Sequence, residues 1–96
     1  MDKRDEYVRK LKGQLDTWNA EMAKWEAKTK EAQASARTDY EKQLTEFRRH
    51  RDQAVEQLRQ VQTATGNAWL ELTRGADEAW AKMRESFEKA SSHFKK

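Results

Sequence analysis

Apolar side chains recur at alternating steps of three and four residues in the first part of the chain. This spacing places them along one stripe of an α-helix and matches the a and d positions of a heptad repeat. Half of the residues between them are charged and most of the others are polar or small, so the helix would bury one face and expose the others. We call this stripe the N-terminal seam. It consists of Val8, Leu11, Leu15, Trp18, Met22 and Trp25.

The stripe continues through the middle of the chain, where small residues and steps of four replace the strict heptad. It passes Ala32 and Ala36 and runs on to Val61 without a glycine or proline that would end a helix. The pattern therefore predicts one amphipathic helix over residues 3–64. An alternative is open, because Thr38-Asp39-Tyr40-Glu41 has the form of a capping box that starts a helix. In that case the chain breaks over residues 35–38 and forms a three-helix bundle.

The clearest break in the helical pattern is at Gly66 and Asn67. Glycine readily adopts the left-handed conformation that ends helices, and asparagine is a favoured N-cap residue. We therefore expect a turn over residues 65–67 and a second helix over residues 68–94. The second helix carries its own apolar stripe, which includes Trp69, Leu72, Ala76, Trp80, Met83, Phe87, Ala90 and Phe94.

The two predicted helices differ in length, which has a consequence for packing. A helix of about 60 residues spans about 90 Å, whereas one of about 28 residues spans about 40 Å. A hairpin would therefore cover residues 40–61 and leave the N-terminal seam bare. Burying one large apolar side chain is worth about 1.5–3 kcal/mol, so we expect the seam to pair with another copy or another helical protein. The interface candidates are Val8, Leu11, Leu15, Trp18, Met22, Trp25, Trp69, Leu72, Trp80, Met83 and Phe87, with Gly66 and Asn67 at the turn.

Composition supports an all-α, coiled-coil type of protein. The 96 residues are 39% charged and 35% apolar, with no proline, a bias typical of long helices. The 20 Lys and Arg residues are interleaved with 17 Asp and Glu residues, so no basic segment indicates a nucleic-acid partner. The chain has no cysteine, no signal-like apolar region and no run of about 18 apolar residues. We therefore expect a cytoplasmic protein.

The sequence predicts no catalytic residue, cofactor site or metal site, and hence no enzyme. His50 and His93 lack the helical spacing of metal ligands, and no phosphate-binding loop or nucleophile motif is present. Arg51 falls on the apolar stripe, where it either sets the register of a partner helix or lies at the edge with its charge in solvent. The edge position is the preferred interpretation.

Four tryptophans are unusual for a coiled coil, and they raise a second functional hypothesis. An amphipathic helix over Trp69 to Phe94 could lie on a membrane surface. Its polar face, however, carries acids such as Glu71, Glu78 and Glu85, which anionic lipids repel. Helix pairing is therefore the leading hypothesis and lipid binding the alternative.

Three stretches resemble a known group of proteins. They are QLDTWNAEMAKWEAK (Gln14 to Lys28), ARTDYEKQLTEFRRHRDQA (Ala36 to Ala54) and TGNAWLELTRGADEAW (Thr65 to Trp80). Together they resemble the short bacterial coiled-coil proteins described as stress-response proteins, a largely uncharacterised family. The resemblance implies a bacterial, cytoplasmic, helical protein linked to stress, and it transfers no catalytic residue. With the helical pattern, it leads us to expect a non-enzymatic oligomerisation or scaffold protein.

Overall fold

The computed structural model describes residues 2–95 and contains three α-helices. They are α1 (Lys3–Glu31), α2 (Ala34–Thr63) and α3 (Ala68–Phe94). The predicted all-α class is confirmed. The helices form an elongated bundle of 52 × 20 × 17 Å, whose radius of gyration of 15.4 Å exceeds the roughly 12–13 Å typical of a rounder domain of this length.

The predicted single helix over residues 3–64 is wrong, because the chain reverses at Ala32 and Gln33. Both residues have extended backbones, with ψ angles of 152° and 154°. The alternative three-helix arrangement is the one observed, and its break lies just before the predicted segment 35–38. The capping-box segment Thr38 to Glu41 is inside α2 and starts no helix. The break occurs where no glycine, proline or capping side chain requires it.

Backbone and side-chain hydrogen bonds stabilise this turn. The amide of Ala32 donates to the carbonyl of Thr29 at 3.2 Å. The guanidinium of Arg37 donates to the carbonyl oxygens of Ala32 at 3.1 Å and Lys30 at 3.4 Å. Gln33, the N-cap of α2, makes no capping bond through its side chain. Arg37 therefore satisfies carbonyl groups that the interrupted helix would otherwise leave to water.

The second turn is where the sequence predicts it. Gly66 has a φ of 58°, in the left-handed region that favours glycine, and α3 begins at Ala68. Asn67 occupies the N-cap position, but its side chain makes no capping hydrogen bond. The predicted turn and second helix are confirmed, although the glycine conformation rather than an asparagine cap defines the reversal.

Helices α2 and α3 form the closest pair in the bundle. Their backbones approach each other along much of their length, whereas α1 comes close to α3 at few positions. At Gly75 an added Cβ would lie 2.8 Å from Oε1 of Gln57, which shows how near the two helices are. Ala54, Ala76 and Ala90 are fully buried on these helices, and their small side chains permit this approach. We call α2 and α3 together the hairpin.

Candidate interaction surface

The N-terminal seam is covered within the monomer. Val8, Leu11, Met22 and Trp25 are only 5–8% exposed, and Leu15 and Trp18 are half-buried against the core. The prediction that a hairpin leaves this seam bare is therefore wrong. The seam is covered because the chain breaks at residues 32–33 and α1 folds back along the hairpin.

The remaining interface candidates belong to the same core. Trp80 and Met83 are buried, and Trp69, Leu72 and Phe87 pack against them as half-buried side chains. The structure thus brings all eleven candidates together, but as contacts within one chain. Their pairing with another copy or another protein stays a prediction.

A row of stacked and tilted aromatic rings joins α1 to α3, and we call it the aromatic ladder. The ring of Trp18 lies 5.5 Å from that of Phe87 and 6.4 Å from that of Trp80. The ring of Trp25 lies 4.9 Å from that of Phe87 and 5.2 Å from that of Phe94, with the last pair nearly parallel at 7°. Aromatic pairs at these distances add about 0.5–1.5 kcal/mol each to the effect of burial. The size of these rings explains why α1 and α3 are held together at a larger backbone distance than α2 and α3.

Polar side chains of α1 contact the C-terminal ends of the two other helices. Arg4 donates to the carbonyl oxygen of Ala64, the C-cap of α2, at 2.6 Å. Lys28 donates to the carbonyl oxygen of Phe94, the last residue of α3. Cations at these ends complement the helix dipole and satisfy carbonyl groups without a helical partner. Together the two bonds define where α1 sits along the hairpin.

Two further hydrogen bonds fix α1 against α3 between those ends. The indole nitrogen of Trp80 donates to Oε1 of Gln14 at 2.9 Å. The hydroxyl of Tyr7 donates to Oδ1 of Asp77 at 2.6 Å, with the carbonyl oxygen of Thr73 at 3.3 Å. Burial, this hydrogen bond and the charge of Asp77 raise the pKa of Tyr7 well above its usual range. The Tyr7 hydroxyl therefore keeps its proton at neutral pH and serves as a structural donor.

Arg51 lies at the edge of the contact between α1 and α2. Its guanidinium is 3.4 Å from Oδ1 of Asn19 and 3.9 Å from the sulfur of Met22, and the side chain is 25% exposed. The nearby ion pair of Arg48 with Glu26, at 2.8 Å, is exposed enough to contribute at most about 1 kcal/mol. The guanidinium of Arg51 also pairs with Asp52 of α2 at 3.3 Å. Arg51 therefore lies between α1 and α2 with its charge held by polar groups of both helices, and not in solvent as the edge interpretation expected.

An open groove runs beside α1 near its N-terminal end. Its volume is about 510 Å³, and the added Cβ of a substituted Gly13 would meet no atom within 4 Å. Cations and acids both line the groove, so its charge selects no ligand class. The lining residues are Arg4, Asp5, Val8, Arg9, Lys12, Gly13, Asp16 and Gln62.

The environment of the histidines does not suggest a metal centre. Nδ1 of His50 is buried without a hydrogen-bond partner, beside a small cleft of about 160 Å³ that also contacts Glu46 and Glu85. Across residues 2–95, however, no three potential ligand side chains are grouped to hold a metal ion. In the same part of the chain, no helix has both the length and the apolar character needed to cross a bilayer.

The fold and these contacts define a three-helix protein in which one amphipathic helix is seated on a helical hairpin. No protein family, curated protein or solved structure matches the chain. The resemblance to bacterial stress-response proteins therefore stays a prediction, and functional reasoning rests on how α1 is held.

Proposed function

We propose that this protein is a non-enzymatic oligomerisation or scaffold module that pairs amphipathic helices, either with another copy or with a different helical protein. In line with the sequence resemblance, the proposal places it in the bacterial cytoplasm with a link to stress. The observation that carries the proposal is the seating of α1 on the hairpin through the aromatic ladder.

The hairpin face has the properties of a helix-binding groove. Trp18 stacks on Phe87 and Trp25 stacks on Phe94, so rings seven residues apart on α1 fit rings seven residues apart on α3. The ring of Phe87 also packs against that of Trp25 in a tilted arrangement. A groove of this kind recognises an amphipathic helix by apolar anchors at helical spacing. Any helix with two aromatic residues one heptad apart would therefore satisfy much of the contact that α1 makes.

Lipid binding has less support than helix pairing. Five of the eight residues of the apolar stripe of α3 are buried in the bundle, and the other three are half-buried against the core. The buried five are Ala76, Trp80, Met83, Ala90 and Phe94. A membrane surface could reach this stripe only after the bundle opened, and opening would also separate the rings of the aromatic ladder. Adding anionic or neutral vesicles should therefore leave the tryptophan emission of the folded protein unchanged.

A labelled peptide with the sequence of residues 3–31 tests the proposal on the intact protein. Protein and peptide are mixed in moderate urea, which is then removed, and retention of the peptide is measured by size-exclusion chromatography with fluorescence detection. The protein's own α1 competes with the peptide at a high effective concentration, so the peptide is added in large excess. Under these conditions we expect measurable retention of the peptide. The matched control is the same peptide with Trp18→Ala and Trp25→Ala. These changes belong in the peptide, because in the full chain Trp25 is part of the core.

The proposal would be contradicted if two results were both obtained. One is equal retention of the native and the substituted peptide, which would show that the aromatic anchors are not recognised. The other is sedimentation equilibrium that finds only monomer up to hundreds of micromolar, a range in which weak helix pairing is detectable.

A further inference from the structure

The turn between α1 and α2 is made of residues that favour the helix it interrupts. Alanine and glutamine are good helix formers, and the segment from Lys28 to Ala36 contains neither glycine nor proline. Gln33 provides no side-chain cap for α2. The other turn differs, because Gly66 has the positive φ of a dedicated reversal. Only the first turn therefore conflicts with the local preference of the sequence.

We propose that α1 exchanges between two copies of this chain. The turn at residues 32–33 straightens, α1 and α2 become one continuous helix over residues 3–63, and α1 docks on the hairpin of the second copy. That copy returns its own α1, so both aromatic ladders form between chains. This inference rests on the proposed function and names its partner as a second copy.

Closed monomer and exchanged dimer share almost all of their contacts. The aromatic ladder and the hydrogen bonds from Arg4 and Lys28 are the same in both forms. The difference in free energy between monomer and dimer therefore arises mainly at the turn. In the monomer, the carbonyl groups of Lys30 and Ala32 depend on the exposed Arg37 at 3.4 and 3.1 Å. A continuous helix gives these carbonyl groups backbone partners four residues ahead. Against this gain stands the entropy lost on association, so the dimer depends on concentration.

Two structural features identify α1 as the exchanged element. Its connection to the hairpin has two residues, at the short end of helix-to-helix links, and short links promote exchange of an identical element. Its backbone also stays farther from α3 than that of α2 does. Removing α1 therefore breaks far fewer close backbone approaches than removing α3, which packs closely against α2.

The exchanged dimer has a distinctive shape. A continuous helix of about 61 residues is about 90 Å long at 1.5 Å per residue. The monomer is 52 Å long. Because each long helix joins one hairpin to the other, the two bundles lie end to end. Small-angle scattering on a separated dimer should therefore give a maximum dimension of at least about 90 Å.

Replacing Ala34 with proline distinguishes the two forms. Ala34 is the first helical residue of α2, a position that proline favours, and the extended Gln33 before it (φ −65°, ψ 154°) is the conformation that a following proline requires. In the continuous helix the same proline would be interior, where it costs each chain roughly a hundredfold in equilibrium constant. Ala34→Pro should therefore leave the monomer folded and weaken the dimer about 10⁴-fold, since each dimer contains two such positions.

The experiment refolds the full chain at high concentration and measures the dimer fraction by size-exclusion chromatography with light scattering. We expect a dimer for the native chain and for the matched control Ala34→Ser, and none for Ala34→Pro. Circular dichroism verifies that each variant is helical. If Ala34→Pro does not fold, Ala32→Gly with Gln33→Gly takes its place, with a dimer weakened tenfold or more because glycine disfavours the helix interior.

The outcomes separate this inference from the proposed function. A native dimer that persists equally in the proline variant, or one no longer than the monomer, overturns the exchange and leaves helix pairing in place. A native chain that stays monomeric throughout overturns the exchange and also removes self-pairing from the proposed function. Binding of the labelled α1 peptide would then be the remaining support for pairing with a different helix.

Discussion

Truncating Trp25 should remove a large part of the stability of the bundle. Its side chain is 5% exposed, and its ring stacks on that of Phe94 and packs at a tilt against that of Phe87. Replacing a buried tryptophan with alanine costs about 3–5 kcal/mol. A domain of this length is stable by about 5–14 kcal/mol, at roughly 0.05–0.15 kcal/mol per residue. We therefore expect Trp25→Ala to lose between a fifth of the stability and all of it.

Urea denaturation followed by circular dichroism measures this loss. With a slope of about 1.5 kcal/mol per M, a loss of 3–5 kcal/mol moves the midpoint down by about 2–3 M. The protein is kept dilute so that the unfolding is that of the monomer. Trp25→Phe, which keeps an aromatic ring against Phe94, should lose less than half as much.

A matched control uses an apolar residue that is not in the core. Leu70 is 54% exposed, so Leu70→Ala should change the free energy of unfolding by no more than about 0.5 kcal/mol. A Trp25→Ala variant that loses less than about 1 kcal/mol, with an unchanged slope, would refute the reasoning. It would mean that the aromatic ladder does not hold α1 in place.

Three further predictions follow from the structure. Tyr7 has a folded pKa above its unfolded value of about 10, so its stabilising contribution is complete below pH 10 and is lost as the pH rises further. In urea titrations, the difference in free energy of unfolding between the native chain and Tyr7→Phe should be constant from pH 6 to 9 and shrink above about pH 10. A difference that grows above pH 10 would contradict a raised pKa of Tyr7 in the folded protein. Gly13→Ala should raise the free energy of unfolding by about 1 kcal/mol, because the position is helical and no atom is near the added Cβ. Gly66→Ala should lower the free energy of unfolding by about 1–2 kcal/mol, because Gly66 has a φ of 58°. Thermal denaturation measures both changes, and equal effects would be inconsistent with the two backbone conformations. Amide hydrogen exchange should be faster in α1 than in the buried parts of α2 and α3, since α1 approaches the other helices closely at fewer positions than they approach each other. Uniform protection would argue against a separate opening of α1.

Much of the secondary structure was predictable from local pattern. Heptad spacing identified the buried face of α1, and the stripe from Trp69 to Phe94 identified that of α3. Gly66 marked the second turn because few other residues adopt its backbone conformation. The eleven interface candidates lie in or against the core of the monomer, and their contact with another molecule stays a prediction. Their partner within the monomer was not predicted, because the pattern of one stripe does not specify which other stripe covers it.

The polar contacts of α1 had no signal in the sequence. Arg4 and Ala64 are 60 residues apart, and Tyr7 and Asp77 are 70 residues apart. In a chain rich in interleaved charges, many such pairs are equally plausible on sequence alone. Only the register of the folded bundle selects among them.

The sequence by itself determined that this protein is helical, which faces are apolar and where α3 begins. The tertiary structure decided that α1 and α2 separate at Ala32 and Gln33. Burying the four most covered residues of the N-terminal seam, at about 1.5–3 kcal/mol each, is worth roughly 6–12 kcal/mol. Interrupting the helix costs less, because water and Arg37 satisfy the freed backbone groups. Burial of distant apolar side chains therefore outweighs the local preference of residues 32–33 for a continuous helix.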